Sequence, residues 1–424
     1  MRKIDDEIQA LLSEHRGDIR SILKDNHRLD LLYALSSQRE LLLEWYDFEP
    51  EAEVLQVGAD YGALTGLLRS SVSAVTVLDE TESALETVRQ RYPGAANIYY
   101  RKDSLAGYAA EACAEGKKYD YVIFAGTLTA PYEKHIHAAK SLLKPDGILI
   151  VALANALGMK YFAGTVEEEN ALTKRQLAEL LCGDKETQSM ADESGTLKFY
   201  YPMPDYKTPV SIYSDAYLPK KGDLTRVTPA YDYPPYHLME QGEKFDTVCE
   251  AGLFDLYANS YLVFWSADPK QLQKDDERIF IKYNKTRREE FQIKTCICER
   301  NVIGAAGASG AAGADATGNS AAGKKERYVE KAALSLDGSA HIASFKEKYE
   351  KLTKQHRTLK VAEPKFAEHR NSVFFPYLVG ETCAEKLGEQ LEGGQLPLDV
   401  LQIVMNQIYD ISPECRSAFV RTAD

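Results

Sequence analysis

Long apolar runs, an excess of positive charge and paired cysteine motifs are what this sequence lacks. No stretch reaches the length needed to span a bilayer as a helix, so membrane insertion is not expected. The formal charge of -13 opposes phosphate backbones and anionic membrane surfaces, which argues against RNA or DNA as partners. The seven cysteines are odd in number, scattered and free of any C-x-x-C spacing. That predicts buried free thiols in a reducing cytoplasm rather than a disulfide framework. The opening residues Met1 to Glu7 turn acidic at once and carry no apolar segment, so no secretory signal is expected there.

The chain is organised around Val54 to Leu68, where an apolar strand runs into a glycine turn and the turn opens a helix. Gly58 and Gly62 lack a Cβ, so the backbone can turn tightly and approach a ligand closely. The helix behind offers unpaired N–H groups and a positive dipole end. The competing reading is a strand-to-helix corner that binds nothing. This turn also lacks G-x-G-x-x-G spacing, which disfavours a nicotinamide-dependent dehydrogenase or epimerase.

Helix-spaced apolar residues precede the turn over residues 4–12 and 19–35, and continue through 41–46 toward Pro50. This helical segment, residues 1–48, is expected to cover the sheet edge and one rim of the cleft. After the turn, apolar strands at 74–79, 98–100, 119–125 and 148–153 alternate with helical stretches, which predicts a parallel sheet covered on both faces. Counting the strand before the turn as the first, the second ends in Asp79 and Glu80, the third in Asp103, and the fourth in Ala125 and Gly126. A carboxylate at the tip of the second strand is where such sheets hold ribose hydroxyls. A solvated strand end is the competing reading for Asp79, and more so for Asp103. Further strands at 196–202 and 259–265 flank a proline- and tyrosine-rich insertion, residues 203–242. The insertion suits a lid over an acceptor, since tyrosines offer flat faces and hydroxyls. It could equally be a covering loop.

The cleft motif resembles the cofactor site of class I S-adenosylmethionine-dependent methyltransferases, over about Leu35 to Trp265. The resemblance implies a Rossmann-like, doubly wound α/β domain at 49–268. It also implies S-adenosyl-L-methionine as cofactor, with Gly58, Ala59 and Gly62 at the methionine part. Asp79 and Glu80 then stand at the ribose, Asp103 at the adenine amine, and Ala125, Gly126 and Thr127 where donor meets acceptor. Gln56 replaces the family's usual acid and cannot neutralise the cofactor ammonium. Asp60 replaces a further glycine, and either supplies the missing carboxylate or blocks the site. Local strings narrow the resemblance, among them residues 35–40, 155–164, 201–207, 212–219 and 258–263. They are similar to methyltransferase domains encoded with glycosyltransferases in clostridial polysaccharide-synthesis clusters. This implies a glycan or other small-molecule acceptor, with glycosyltransferases as potential partners.

In-line methyl transfer needs alignment more than chemistry, and a hydroxyl acceptor gains from a positioned base. The histidines considered are His135, His137 and His237. Lys160 and Tyr161, just past the fifth strand, are expected at the cleft mouth on the acceptor side. No metal is expected.

From residue 276 the character changes to a smaller α+β domain. Strands at 279–283, 291–298 and 327–332 read as an antiparallel meander interrupted by a glycine- and alanine-rich flexible loop, residues 303–325. Cys296 and Cys298, two apart on one strand, share a face. Lys331, a following helix with Glu347 and Glu350, and Phe375-Pro376-Tyr377-Leu378 resemble the small lobe of a protein kinase. A lysine–glutamate pair there would position nucleotide phosphates. No HRD-like or DFG-like motif follows, so phosphoryl transfer is not expected. Two functions are therefore expected to compete: an O-methyltransferase acting on a glycan or glycan precursor, and a non-catalytic methyltransferase-fold scaffold.

Overall fold

A computed structural model describes residues 2–183, 195–225, 238–302, 324–355, 360–366 and 371–411. The chain forms two compact units, residues 1–282 and 283–424.

The first unit opens with three helices, α1 (Arg2–Glu14), α2 (Ile19–Asp25) and α3 (Leu29–Leu35). Ile8, Leu12, Ile22, Leu31 and Leu35 fall on their inner faces and form a small core of their own. Asp18 caps α2 by accepting hydrogen bonds from the Arg20 and Ser21 amides, satisfying two otherwise unpaired donors. A 3-10 turn over Ser37–Leu42 follows. The alternating layers come next: β1 (Glu53–Val57), α4 (Thr65–Ser71), β2 (Ala74–Asp79), α5 (Glu82–Arg91), β3 (Ile98–Lys102), α6 (Leu105–Ala114), β4 (Tyr119–Ala125), α7 (Tyr132–Ser141) and β5 (Leu143–Ala154). The unit closes with α8 (Met159–Phe162), α9 (Lys174–Cys182), β6 (Thr196–Met203), β7 (Ser211–Ser214), α10 (Gln241–Glu250), α11 (Phe254–Tyr257), β8 (Ser260–Ser266) and β9 (Asp276–Asn284).

Its strands lie in the order β3-β2-β1-β4-β5-β8-β6-β7-β9. The first five are mutually parallel, with Val54 opposite Val75 and Tyr121. β8 inserts antiparallel between β5 and β6, with Val151 opposite Val263 and Phe199 opposite Val263. Helices on both faces of a parallel sheet leave those strands no polar side, and Ile148 to Ala154 are accordingly all buried. This is the expected Rossmann-like, doubly wound α/β arrangement: five parallel strands, a late antiparallel strand placed inside, and the order reversing between β1 and β4. The N-terminal helices pack on α5, with Gln9 on α1 donating to Ser83 and Thr87. Part of the proline- and tyrosine-rich insertion is a strand, since β7 pairs with β6. Its residues 226–237, including His237, lie outside the described residues. The strand expected at 279–283 pairs with β7, Ser211 opposite Lys282, and so extends the first unit's sheet.

The second unit contains β10 (Ile293–Val302), β11 (Lys324–Ala333), α12 (Ser339–Gln355), β12 (Lys365–Phe366), β13 (Ser372–Pro376), α13 (Cys383–Glu392) and α14 (Leu398–Ile411). β10, β11 and β13 form an antiparallel meander, with Lys331 opposite Thr295 and Val373. Ile293, Ile342 and Val373 anchor its core beneath Phe345 and Phe375. Cys296 and Cys298 are buried. Of the expected loop 303–325, residues 303–323 lie outside the described residues, and Lys324 and Lys325 belong to β11. The kinase-like lysine–glutamate pair is not formed. Lys331 faces the rings of Phe345 and Phe375, while Glu347 pairs with Lys351 at 2.6 Å.

Candidate cofactor and acceptor site

The strand order reverses between β1 and β4, and open α/β sheets bind ligands in the crevice at the C-terminal ends of such strands. The turn after β1 is left-handed at four residues: Gly58 (φ 86°), Asp60 (φ 40°), Tyr61 (φ 53°) and Gly62 (φ 73°). Two consecutive non-glycine residues there are uncommon, and aspartate is among the types that tolerate it. Three side chains brace the turn from below. Arg91 donates to the Tyr61 carbonyl at 3.0 Å, the Tyr92 hydroxyl to the Gly62 carbonyl at 3.0 Å, and the Tyr61 hydroxyl to Asp5 at 2.6 Å.

Gln56 is buried and turned inward. Its amide donates to the Gly58 and Ala59 carbonyls and its oxygen accepts from Thr65, so its polar groups are spent on holding the turn. Asp79 reaches the same turn from β2. One carboxylate oxygen accepts from the Ala59 amide at 3.0 Å, the other from the Thr81 amide and hydroxyl. Glu80 beside it is exposed. Asp103 follows β3, where its amide donates to the Asp79 carbonyl at 3.1 Å. Its carboxylate accepts from the Ser104 amide and lies over Gly107, so it rests on the first turn of α6.

Across the crevice, the chain after β4 turns at Gly126 (φ 82°). Thr127 crosses to β1 and donates its hydroxyl to the Val57 carbonyl at 2.5 Å. A Cβ on Gly58 would meet the Thr127 methyl at 2.5 Å, and a Cβ on Gly126 would meet the Tyr206 ring at 2.7 Å. Both glycines are thus required by the protein's own packing, whatever the crevice holds.

Asp60 does not stand alone beside the turn. Its carboxylate pairs with Arg39 at 2.5 Å, and the Arg39 side chain is only 8% exposed against 24% for Asp60. The 3-10 turn after α3 delivers Arg39, which also donates to the Tyr33 carbonyl. Burial opposes charge on Arg39, but Asp60, Tyr206 and Asp205 together raise its pKa.

Lys160 and Tyr161 occupy different surroundings from those expected at a cleft mouth. Lys160 is 1% exposed and pairs with Glu168 at 2.8 Å and Asp205 at 3.3 Å. Burial lowers its pKa, but Asp205 and Glu168 raise it further, and the net shift is upward. Lys160 is therefore a fixed cation and no proton acceptor. Burial lifts the Tyr161 hydroxyl to about 12, and that oxygen accepts from the Glu168 amide. Glu168 also accepts from Lys207 and from the Tyr206 hydroxyl at 3.1 Å. Burial opposes its ionisation, yet Lys160 and Lys207 hold its carboxyl down at about 2. Two buried amides fix this network. Asn259 accepts from the Lys160 amide and donates to the Pro204 carbonyl, while Asn155 donates to the carbonyls of Leu256 and Ala258. His135 on α7 bonds through Nδ1 to the Thr129 carbonyl at 2.8 Å.

Arg39, Glu168, Asp205 and Tyr206 were not singled out by residue type. The signal was present, since Arg39, Asp205 and Tyr206 sit in the strings 35–40 and 201–207, but nothing local to those strings announces that they meet.

No family model matches the chain, and no curated protein matches it. Solved structures do. One is phosphoethanolamine N-methyltransferase 1 of Haemonchus contortus with phosphoethanolamine and S-adenosylhomocysteine, 12% identical, covering 62% of this chain and 48% of that one, TM-score 0.35. Another is the N-methyltransferase NodS of Bradyrhizobium japonicum with S-adenosylhomocysteine, 19% identical over 35% and 72% of the two chains, TM-score 0.26. A third is precorrin 8w decarboxylase of Methanobacterium thermoautotrophicum, 17% identical over 40% and 77%, TM-score 0.29.

Proposed function

We propose that residues 2–282 form an S-adenosylmethionine-dependent methyltransferase. The observation that carries this is the convergence of Asp79 on the Ala59 amide within the turn, 3.0 Å apart, at the sheet's reversal point. A nucleoside laid across that turn would find the Asp79 carboxylate for its ribose hydroxyls, with Asp103 further along the same rim. The Arg39–Asp60 pair suits the amino-acid end, since its opposite charges complement a carboxylate and an ammonium. Asp60 then fills the role that Gln56 cannot. The cofactor would supply an electrophilic methyl group. The chain's own residues contribute alignment, exclusion of water by Tyr206 and Thr127, and a proton acceptor. For the last role His135 is the candidate. With Nδ1–H given to the Thr129 carbonyl, Nε2 carries the lone pair.

For the acceptor we favour a hydroxyl of a glycan or glycan precursor. The tyrosine-rich insertion around Tyr206 supports that class, as does the resemblance to methyltransferase domains of polysaccharide-synthesis clusters, in which glycosyltransferases would be partners in the cytoplasm. Titration calorimetry with S-adenosylhomocysteine tests the cofactor assignment. Binding is expected, with Asp79→Asn weakening it about tenfold through loss of charge-assisted hydrogen bonds. Absence of heat at millimolar ligand would remove the enzyme reading.

A second reading, a non-catalytic scaffold of the same fold, draws on the close packing of Tyr206 against Gly126 and of Thr127 against Gly58, side chains of the protein itself at the turns where a cofactor would lie. Tyr206→Ala separates the two. An enzyme site loses shielding and rate, whereas a closed scaffold gains nucleoside affinity.

A further inference from the structure

In the second unit, β11, β13 and α12 border an open-sided cavity of about 590 Å³, within the range of small-molecule sites. Its walls are mainly apolar and aromatic, with Phe345, Tyr349, Leu352 and Phe375 among them. Two cations face it, Lys331 from β11 and Lys348 from α12, and no lining residue carries a carboxylate. Both ammonium groups lie near the Phe345 ring, at 5.9 Å and 5.6 Å from its centroid, and Lys331 is 5.8 Å from that of Phe375. Ring faces attract cations weakly, but they do not cancel their charge.

The surroundings add positive charge. Burial and the nearby Arg287 push the Lys331 pKa down. Burial, Lys348, Arg287 and Lys331 do the same to His341, which packs edge-on against Phe291 and at a tilt against Phe345. Glu347, on the same helix as Lys348, pairs with Lys351 at 2.6 Å and also feels the Lys348 charge. Cations gathered beside an apolar hollow whose lining carries no carboxylate favour a ligand that brings both an anionic head and an apolar body.

We propose that this cavity binds an amphiphilic anion: one phosphate or carboxylate head held by Lys331 and Lys348, on an apolar body received by Phe345, Tyr349, Leu352 and Phe375. The site is separate from the proposed methyl-transfer crevice and stands whether or not that reading holds.

Calorimetry on the full chain with octyl phosphate, octanoate and 1-octanol tests it. Both anions should bind, and 1-octanol at least about tenfold more weakly, the scale of one lost charge-assisted contact. A preference between the two heads identifies which anion the site takes. Lys331→Met should weaken the anions about tenfold and leave 1-octanol unchanged, while Lys331→Arg should retain them. If Lys331→Met does not fold, Lys348→Met on the helix surface serves in its place. The proposal falls if 1-octanol binds as well as the anions, if the folded methionine variant keeps full anion affinity, or if none of the three probes binds.

Discussion

Arg39 and Asp60 illustrate how burial decides what a side chain can do. Breaking a buried ion pair strands a charge, at a cost of about 3 kcal/mol or more, reduced where one partner reaches solvent. Asp60→Asn keeps the residue type's tolerance of the left-handed turn and removes only the pairing charge. A loss of about 2 kcal/mol is expected in urea melts, together with weaker S-adenosylhomocysteine binding. Glu168 yields a pH dependence. Its carboxyl is held at about 2 in the folded chain, below the ordinary glutamate range. The stabilisation is thus present above the unfolded value and is lost as pH falls from there toward about 2, on the order of 3 kcal/mol in all. Glu168→Gln should flatten that acid limb while lowering stability at neutral pH, as followed by thermal melts across pH. Lys160 was legible as a residue near the end of β5, but its role was not. A lysine's reach is written in the sequence, whereas its enclosure by Asp205 and Glu168 depends on two segments folding onto one another.

The parallel strands announce themselves as unbroken apolar runs, because a strand covered on both faces has no polar side to alternate with. Ser211–Ser214 gave no such signal. It is four residues long, with serine at both ends, and its place between β6 and β9 comes from the sheet and not from its own composition. The turn after β4 depends on an aromatic ring from a distant segment. Gly126→Ala should cost about 2 kcal/mol or more, since its left-handed backbone and the Tyr206 ring both exclude a methyl group. Circular dichroism melts of Gly126→Ala and of the double variant Gly126→Ala/Tyr206→Ala would show it. Measured against Tyr206→Ala alone, the added Gly126→Ala should cost only the backbone share, the steric share having gone with the ring.

The first unit's main core, from Leu55 to Trp265 with Phe280 against it, uses residues of that unit alone. A fragment of residues 1–282 is therefore expected to fold cooperatively by itself and to bind S-adenosylhomocysteine like the full chain, as size-exclusion chromatography and calorimetry would establish. The fold class was readable at this scale because five apolar strands and the glycine turn repeat one message. The strand order was harder to read: β8, late in the chain, slots between β5 and β6, and only the sheet reveals it. The chain's two tryptophans, Trp45 and Trp265, both lie in this unit. Trp45 packs against Tyr46, Tyr200 and Phe264, while Trp265 lies beneath the Lys140 ammonium, 4.1 Å from its ring centroid. Indole emission consequently watches one half of the molecule and is blind to the other. A denaturation followed by fluorescence and again by ellipticity would resolve which half gives way first, with no label attached.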